Sequence, residues 1–457
     1  MNIRVEKYLV ILLAALSIIR LSAQSPSVRF KHLDIEQGLS QNMIRDILQD
    51  SKGFMWIGTW DGLNRYDGYN FKVYKHIDGD SESLINNKIG CLLEDHKGRL
   101  WIGTFGGGLS LFNRDEESFT NFVHNQNDSK SISGDQILSL FEDSKQRIWV
   151  GVRNGGVALI DEGNSKTGND RNLKFINFIN DPSNPKSIGG TGILSITEDK
   201  SGNIWFGTID GSLNKLIERN GKFEFKQFRS DSKINNNNQL EFVLEDNLHP
   251  GLLWISDYYN GVIWFDTKTE KFIFDYPYYK LDQNIPLSEV QSIFFDSAGQ
   301  YWFGTYAKGI YTFKPGEDDK MPAQFEHFNF DPSNPLGIDA PNITNFFEDK
   351  SGLIWIGTNT NGIYINNTSS KKFISFHNNV FDKNSLVNDN VLCVLEDNKG
   401  NIWIGTELGL DRYNPIEKKY THFRSGGSNS ISSDVVYSLY QDKNEMIWIG
   451  TEAGLDK

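Results

Sequence analysis

Cysteine is scarce in this chain: there are two, Cys91 and Cys393, in 457 residues. That excludes a disulfide-stapled scaffold and a cysteine-built zinc site. Cationic charge is outweighed, with 46 Lys and Arg against 59 Asp and Glu and a net charge of −13. A partner that is a nucleic acid or an anionic membrane surface is therefore not expected. Long apolar runs are missing beyond the N-terminus, so no later segment reads as a membrane span. Catalytic signatures are absent as well: no Walker loop, no His-Glu-x-x-His, no dinucleotide glycine motif after a strand, no nucleophile elbow and no kinase signature. The eight His are scattered without metal-ligand spacing. Several (His76, His124, His327, His377) read as polar residues near outer strands. No cofactor or metal is expected, and the described chain is not expected to be an enzyme.

What is present is a repeat. The stretch Asp50-Ser-Lys-Gly53-Phe-Met-Trp56-Ile-Gly58-Thr59, followed by Asp61-Gly62-Leu63, recurs around Trp101, Trp149, Trp205, Trp254, Trp302, Trp355, Trp403 and Trp448. Nine of the 11 Trp occupy this slot, at spacings of 45 to 56 residues. A period in the forties with strand-like content predicts a β-propeller rather than a helical solenoid. Each unit holds four short β signals. The first is apolar and ends in acid, as in Leu138-Ser-Leu-Phe-Glu-Asp143. A turn with Gly leads into the Trp-Ile-Gly-Thr strand. The third follows another Gly, as in Gly108-Leu-Ser-Leu-Phe112. The fourth is aromatic, as in Phe71-Lys-Val-Tyr74 or Phe373-Ile-Ser-Phe376. The Trp is read as filler between blades, its indole N–H finding a backbone partner. The Glu-Asp pairs are read as turn caps rather than acid–base groups. Cys91 and Cys393 share one slot in different units and are read as buried free thiols. Repeat five departs most, with Ile255-Ser256-Asp257 and a longer turn, Asn247 to Gly251.

At the N-terminus, Arg4 and Lys7 precede the apolar run Tyr8 to Ile19, and Leu21-Ser22-Ala23 offers a small-residue cleavage site. Residues 1–23 therefore read as a signal peptide, and the mature chain as an exported, periplasmic protein.

The frame acidic-Asp-x-x-Gly-x-aliphatic-Trp-Ile-Gly-Thr-x-x-Gly-Leu resembles the two-component regulator propeller repeat. The linkers Asp181-Pro-Ser-Asn-Pro and Asp331-Pro-Ser-Asn-Pro and the opening Phe30 to Ser40 agree with it. The resemblance implies the periplasmic sensor region of a Bacteroides-type hybrid two-component histidine kinase. It also implies a homodimer in the full-length receptor. The family's membrane helix, kinase and DNA-binding parts have no counterpart here, and the chain stops in the third strand of its ninth unit, so a truncated sequence is expected. The expected fold is all-β: residues 24–368 a complete seven-bladed ring, closed by Phe30 to Asp34 as the outer strand of its last blade, and residues 369–457 the first two blades of a second ring. Repeat eight resembles repeat one, as two ring-opening units would. One nine-bladed or irregular ring is the competing reading.

Loops between strands two and three, and those entering strand one, gather on one face, where the frame stops repeating. Those positions give the candidate ligand residues Trp60, Asp61, Phe105, Arg153, Asn154, Asp210, Tyr258, Tyr259, Tyr306, Lys308 and Asn359. Aromatics with amides and mixed charges suit a carbohydrate: rings stack on sugar C–H faces while polar groups pair with hydroxyls. The favoured reading is sensing of oligosaccharides from polysaccharide breakdown. The alternatives are an exported lyase-like propeller enzyme and a non-catalytic carbohydrate-binding propeller.

Overall fold

The computed structural model describes residues 30–457 apart from 163–172, 230–238, 258–260, 275–288, 316–321, 329–337, 339, 368–375, 377, 379–381 and 428–429. The proposed signal peptide, Tyr258, Tyr259, His377 and most of the Phe373–Phe376 segment lie outside these residues. The chain divides into two compact units, 1–369 and 370–457.

The fold is all-β, and the first unit holds seven four-stranded antiparallel sheets. Six are built from consecutive strands, the first from Ile44–Gln49, Met55–Thr59, Gly62–Tyr66 and Phe71–Tyr74. The seventh sheet takes Ile343–Glu348, Leu353–Thr358 and Ile363–Asn367 from late in the chain and its outer strand, Phe30–Leu33, from the start. In that pairing Phe30 lies opposite Asn366 and Leu33 opposite Ile363. First strands of successive sheets pack side by side, and Ile343–Glu348 returns against Ile44–Gln49. These sheets are the blades of a β-propeller. Every first strand carries a register shift after its first residue, for example between Ile44 and Asp46. Such a bulge bends the strand and adds twist.

The repeated Trp is fully buried in most blades. Its Nε1 donates to an Asp carboxylate of the same repeat, not to the backbone, at 2.8–2.9 Å in all nine cases. The other oxygen of that Asp caps the turn: Asp143 Oδ1 accepts from the amides of Lys145 at 3.0 Å and Arg147 at 2.9 Å. One carboxylate thus fixes both turn and ring. The Asp is sequestered with its bonds made, and in Asp50 the bonds from Trp56 and Arg114 outweigh burial and hold the pKa low. Repeat five keeps the bond from Trp254 to Asp246 although its turn is longer.

In the first unit the Glu beside the Asp has a different task from local turn capping. It crosses to the preceding blade: Glu94 accepts from the Ser51 amide at 2.6 Å, Glu142 from His96 at 2.9 Å and Glu198 from Ser144 at 2.7 Å. Gln49 holds this slot in the first blade and accepts from Lys350 of the seventh at 2.8 Å. In the sixth blade the slot is Phe295; the tie to the fifth blade is instead Tyr301 Oη donating to Asp246 at 2.7 Å.

The Gly of Trp-Ile-Gly-Thr marks close approach between blades. A Cβ on Gly151 would lie 2.1 Å from Ser139 Oγ and 2.6 Å from the Ile193 carbonyl oxygen. No other residue fits without moving the neighbouring blade.

The second unit contains a four-stranded sheet, Val391–Glu396, Ile402–Thr406, Gly409–Asn414 and Lys419–Phe423, and a three-stranded one, Val436–Gln441, Ile447–Thr451 and Gly454–Asp456. Its small core joins Leu410, Ile431, Val436 and Ile449. The expectation of two buried thiols holds for Cys91 alone; Cys393 is half-buried. In the same sheet Val394 is 62% exposed, where the corresponding Ile47 of the first blade is 3% exposed.

Candidate functional site

In the first, second, third, sixth and seventh blades the second-to-third-strand loop is anchored to the segment entering the next blade. The amide of Gly62 donates to Asn87 O at 2.8 Å, Gly108 to Asp135 O at 2.8 Å and Gly309 to Pro341 O at 3.1 Å. Gly362 repeats the bond across the ring closure, donating to Asn42 O at 2.9 Å. These ties hold the variable residues on a common rim.

Three candidates meet there. The ring of Trp60 stacks on Phe105 of the next blade with centroids 6.0 Å apart and planes 27° apart. The Arg153 guanidinium of the third blade lies over Phe105 at 5.7 Å. Lys88, which enters the second blade, extends the row from the other end, its Nζ 5.2 Å from the centre of Trp60. The result is a ladder of cation, ring, ring and cation over three blades, each step within the range of a favourable π contact. Trp60 and Phe105 are half-buried, and Lys88 and Arg153 are exposed. Lys88 was not among the residues singled out from the sequence.

Other candidates are tied into the scaffold. Asp61 pairs with Lys75 at 2.7 Å and accepts weakly from Asn87 at 3.4 Å. Asp210 pairs with Arg229 at 2.7 Å and accepts from Thr208 Oγ1 at 2.5 Å. Asn154 has φ 58°, the left-handed conformation a tight turn requires. On the opposite side of the rim, Tyr306 is 59% exposed. Lys308 beside it bonds Glu289 at 2.8 Å, and that bond holds the Lys308 pKa above its ordinary value. Asn359 extends its strand by donating its amide to Asn342 O at 3.2 Å.

Among the described residues no group of three or more His, Cys, Asp or Glu is placed to hold a metal ion. Three of the His serve as struts. The imidazoles of His76 and His124 contact the carbonyls of Leu84 at 2.9 Å and Ile132 at 2.8 Å, pinning two equivalent linkers. His327 Nε2 bonds Lys308 O at 2.8 Å.

The fold and its rim define a β-propeller with a variable upper face. Eight stretches, 38–61, 83–106, 131–154, 187–210, 284–307, 337–360, 385–407 and 430–453, match the two component regulator propeller family, and the chain belongs among the proteins built of these repeats. No matched stretch falls on the divergent fifth repeat.

Among solved structures, the chain is 25% identical to the extracellular domain described as that of hybrid two component system BT3049 of B. thetaiotaomicron, with a TM-score of 0.60 over 94% of this chain and 58% of that one. The corresponding domain of BT4673 of the same organism is 23% identical, with a TM-score of 0.55 over 94% of this chain and 52% of that one. A stretch of 66 residues is 46% identical to Histidine kinase P4 of Formosa agariphila, covering 14% of this chain and 5% of the kinase. The chain thus spans little more than half the length of the extracellular domains it resembles.

Proposed function

We propose that the chain is the ligand-sensing region of a hybrid two-component receptor and that its ligand is an oligosaccharide. The observation that carries this reading is the Lys88–Trp60–Phe105–Arg153 ladder, formed at positions released from the repeating frame. The uncovered edges of this stack form a rigid apolar strip on which the C–H face of a pyranose can rest. The family and the extracellular origin of its structural relatives support sensing over catalysis. In this reading residues 1–23 direct export to the periplasm. The seven sheets of the first unit are a complete ring, and the second unit begins another. The kinase, the membrane helix and the homodimer interface belong to the full-length receptor. No helix among the described residues is long and apolar enough to cross a membrane.

Isothermal titration of the exported chain against a panel of defined oligosaccharides tests the proposal. Binding to at least one that drops about tenfold or more in Trp60→Ala is expected, since a stacked aromatic contact is worth roughly 0.5–1.5 kcal/mol beyond its buried area. Binding unchanged in Trp60→Ala would move the site elsewhere.

A further inference from the structure

On this acidic chain, several rim and turn cations of the first unit are neutralised by carboxylates. Arg114 pairs with Asp50 and Glu94, Arg147 with Asp143 and Glu218, Lys75 with Asp61, Arg229 with Asp210 and Lys308 with Glu289. The two cations that end the aromatic ladder are among those without such a partner, as is Lys215 over the Trp205 ring. Neither Lys88 nor Arg153 forms an ion pair with a described residue; the contact of each is a ring. The nearby carboxylates are engaged elsewhere, Asp61 by Lys75 and Asp135 by the His124 amide at 2.7 Å. The ladder is therefore a locally cationic strip on a molecule of net charge −13.

We propose that this strip selects an anionic oligosaccharide, one carrying hexuronic acid carboxylates. The inference rests on the oligosaccharide reading above and adds the charge of the ligand to it. The steps of the ladder are 5.2, 6.0 and 5.7 Å, comparable to the length of one pyranose in a chain. The sugar lies along the uncovered edges of the Trp60–Phe105 stack, and carboxylates meet the Lys88 ammonium and the Arg153 guanidinium, the latter able to take a carboxylate through two N–H groups at once. A neutral sugar covering the strip would strip water from both cations and return no counter-charge. Cations on a rim also draw an anionic ligand toward a surface that otherwise repels it.

The test uses the full chain with uronic acid oligosaccharides (galacturonate, mannuronate and glucuronate series) and their carboxyl-reduced neutral counterparts, titrated at low and high salt. The expected result is binding of an acidic series with at least about tenfold preference over its reduced form, weakened by salt. Lys88→Gln and Arg153→Gln are each expected to weaken binding by about 3- to 10-fold, the range of a partly exposed charge-assisted contact. Lys186→Gln, which breaks an exposed pair with Glu224 far from the strip, is expected to leave binding unchanged. If acidic and reduced forms bind equally, or the two variants bind as wild type while Trp60→Ala fails, the charge selection is overturned and the oligosaccharide reading survives. If neither form binds at any salt, both readings fall.

Discussion

Asp46 offers the sharpest test of how the ring is held together. It sits at the bulge of the first blade, and its Oδ2 accepts from the Leu92 amide of the second blade at 2.7 Å while the Asn345 amide approaches Oδ1 from the seventh at 3.4 Å. Burial raises its pKa from 3.8 to about 6, against the opposing pull of the Leu92 and Ile47 amides and Arg45. The corresponding residue in other blades is neutral: Ser139, Ser195, Ser292. Ser195 makes the same crossing bond, to the Val243 amide at 2.9 Å. Asp46→Ser therefore keeps the blade-to-blade acceptor and removes the charge. A carboxyl whose folded pKa is raised binds protons more tightly in the folded state, so its contribution falls as pH rises from 3.8 toward 6 and stays low above that. A shift of this size corresponds to an upper limit of about 3 kcal/mol, and solvent screening of the half-buried group reduces it to about 1–2 kcal/mol. Asp46→Ser is thus expected to be the more stable protein at pH 7.5 and to lose that advantage near pH 3.5. Denaturant titrations of both proteins at the two pH values read the difference directly, because the other carboxylates cancel between them. Equal differences at both pH values, or a loss of stability at pH 7.5, would refute the assignment of a poorly solvated charge.

Gly362→Ala should loosen the ring at its closure. The new Cβ would lie 2.4 Å from Leu33 O at a φ of 73°, so a loss of about 2 kcal/mol or more is expected, with early proteolytic release of the N-terminal strand as the readout. In the second unit, burial pushes the His422 pKa down, but its bonds to Asp411 at 2.6 Å and to the Lys383 carbonyl at 2.9 Å raise it overall. The stabilisation is complete below the ordinary His pKa near 6.5 and is lost as pH rises through the higher folded value. Hydrogen exchange of residues 409–423 should quicken with pH beyond the intrinsic rate in wild type, and His422→Gln should abolish that excess.

The blade was legible because one frame is written nine times over: Trp, Gly and the acidic turn recur at fixed offsets, so noise in any copy is averaged out. The indole partner was misassigned although its signal was present, an Asp six residues before the Trp in every unit but the fifth. The Glu of the acidic pair was harder. Its partner lies 43 residues away at Ser51, and a long-range bond leaves no local pattern. The same limit hid Lys88: it stands in a linker, and the ring it covers belongs to the preceding blade. Trp60, Phe105 and Arg153 were visible as departures from the frame. Their stacking was not, since it depends on how far one blade is turned from the next.

The outer strand of the seventh sheet comes from the opposite end of the unit, and its contacts join residues some 330 apart, as in His32 Nε2 bonding Asn361 O at |i−j| = 329. Every other sheet of this unit is a local meander that can form as soon as its own residues exist. Closure is the one step with high contact order, and the loop entropy it must overcome places it last. Until they pair, Phe30–Leu33 and the outer side of Ile363–Asn367 are each an unpaired strand edge. The open arc is the species from which intermolecular strand exchange would start, and the kinetics of this single annealing event set how long the molecule remains in it.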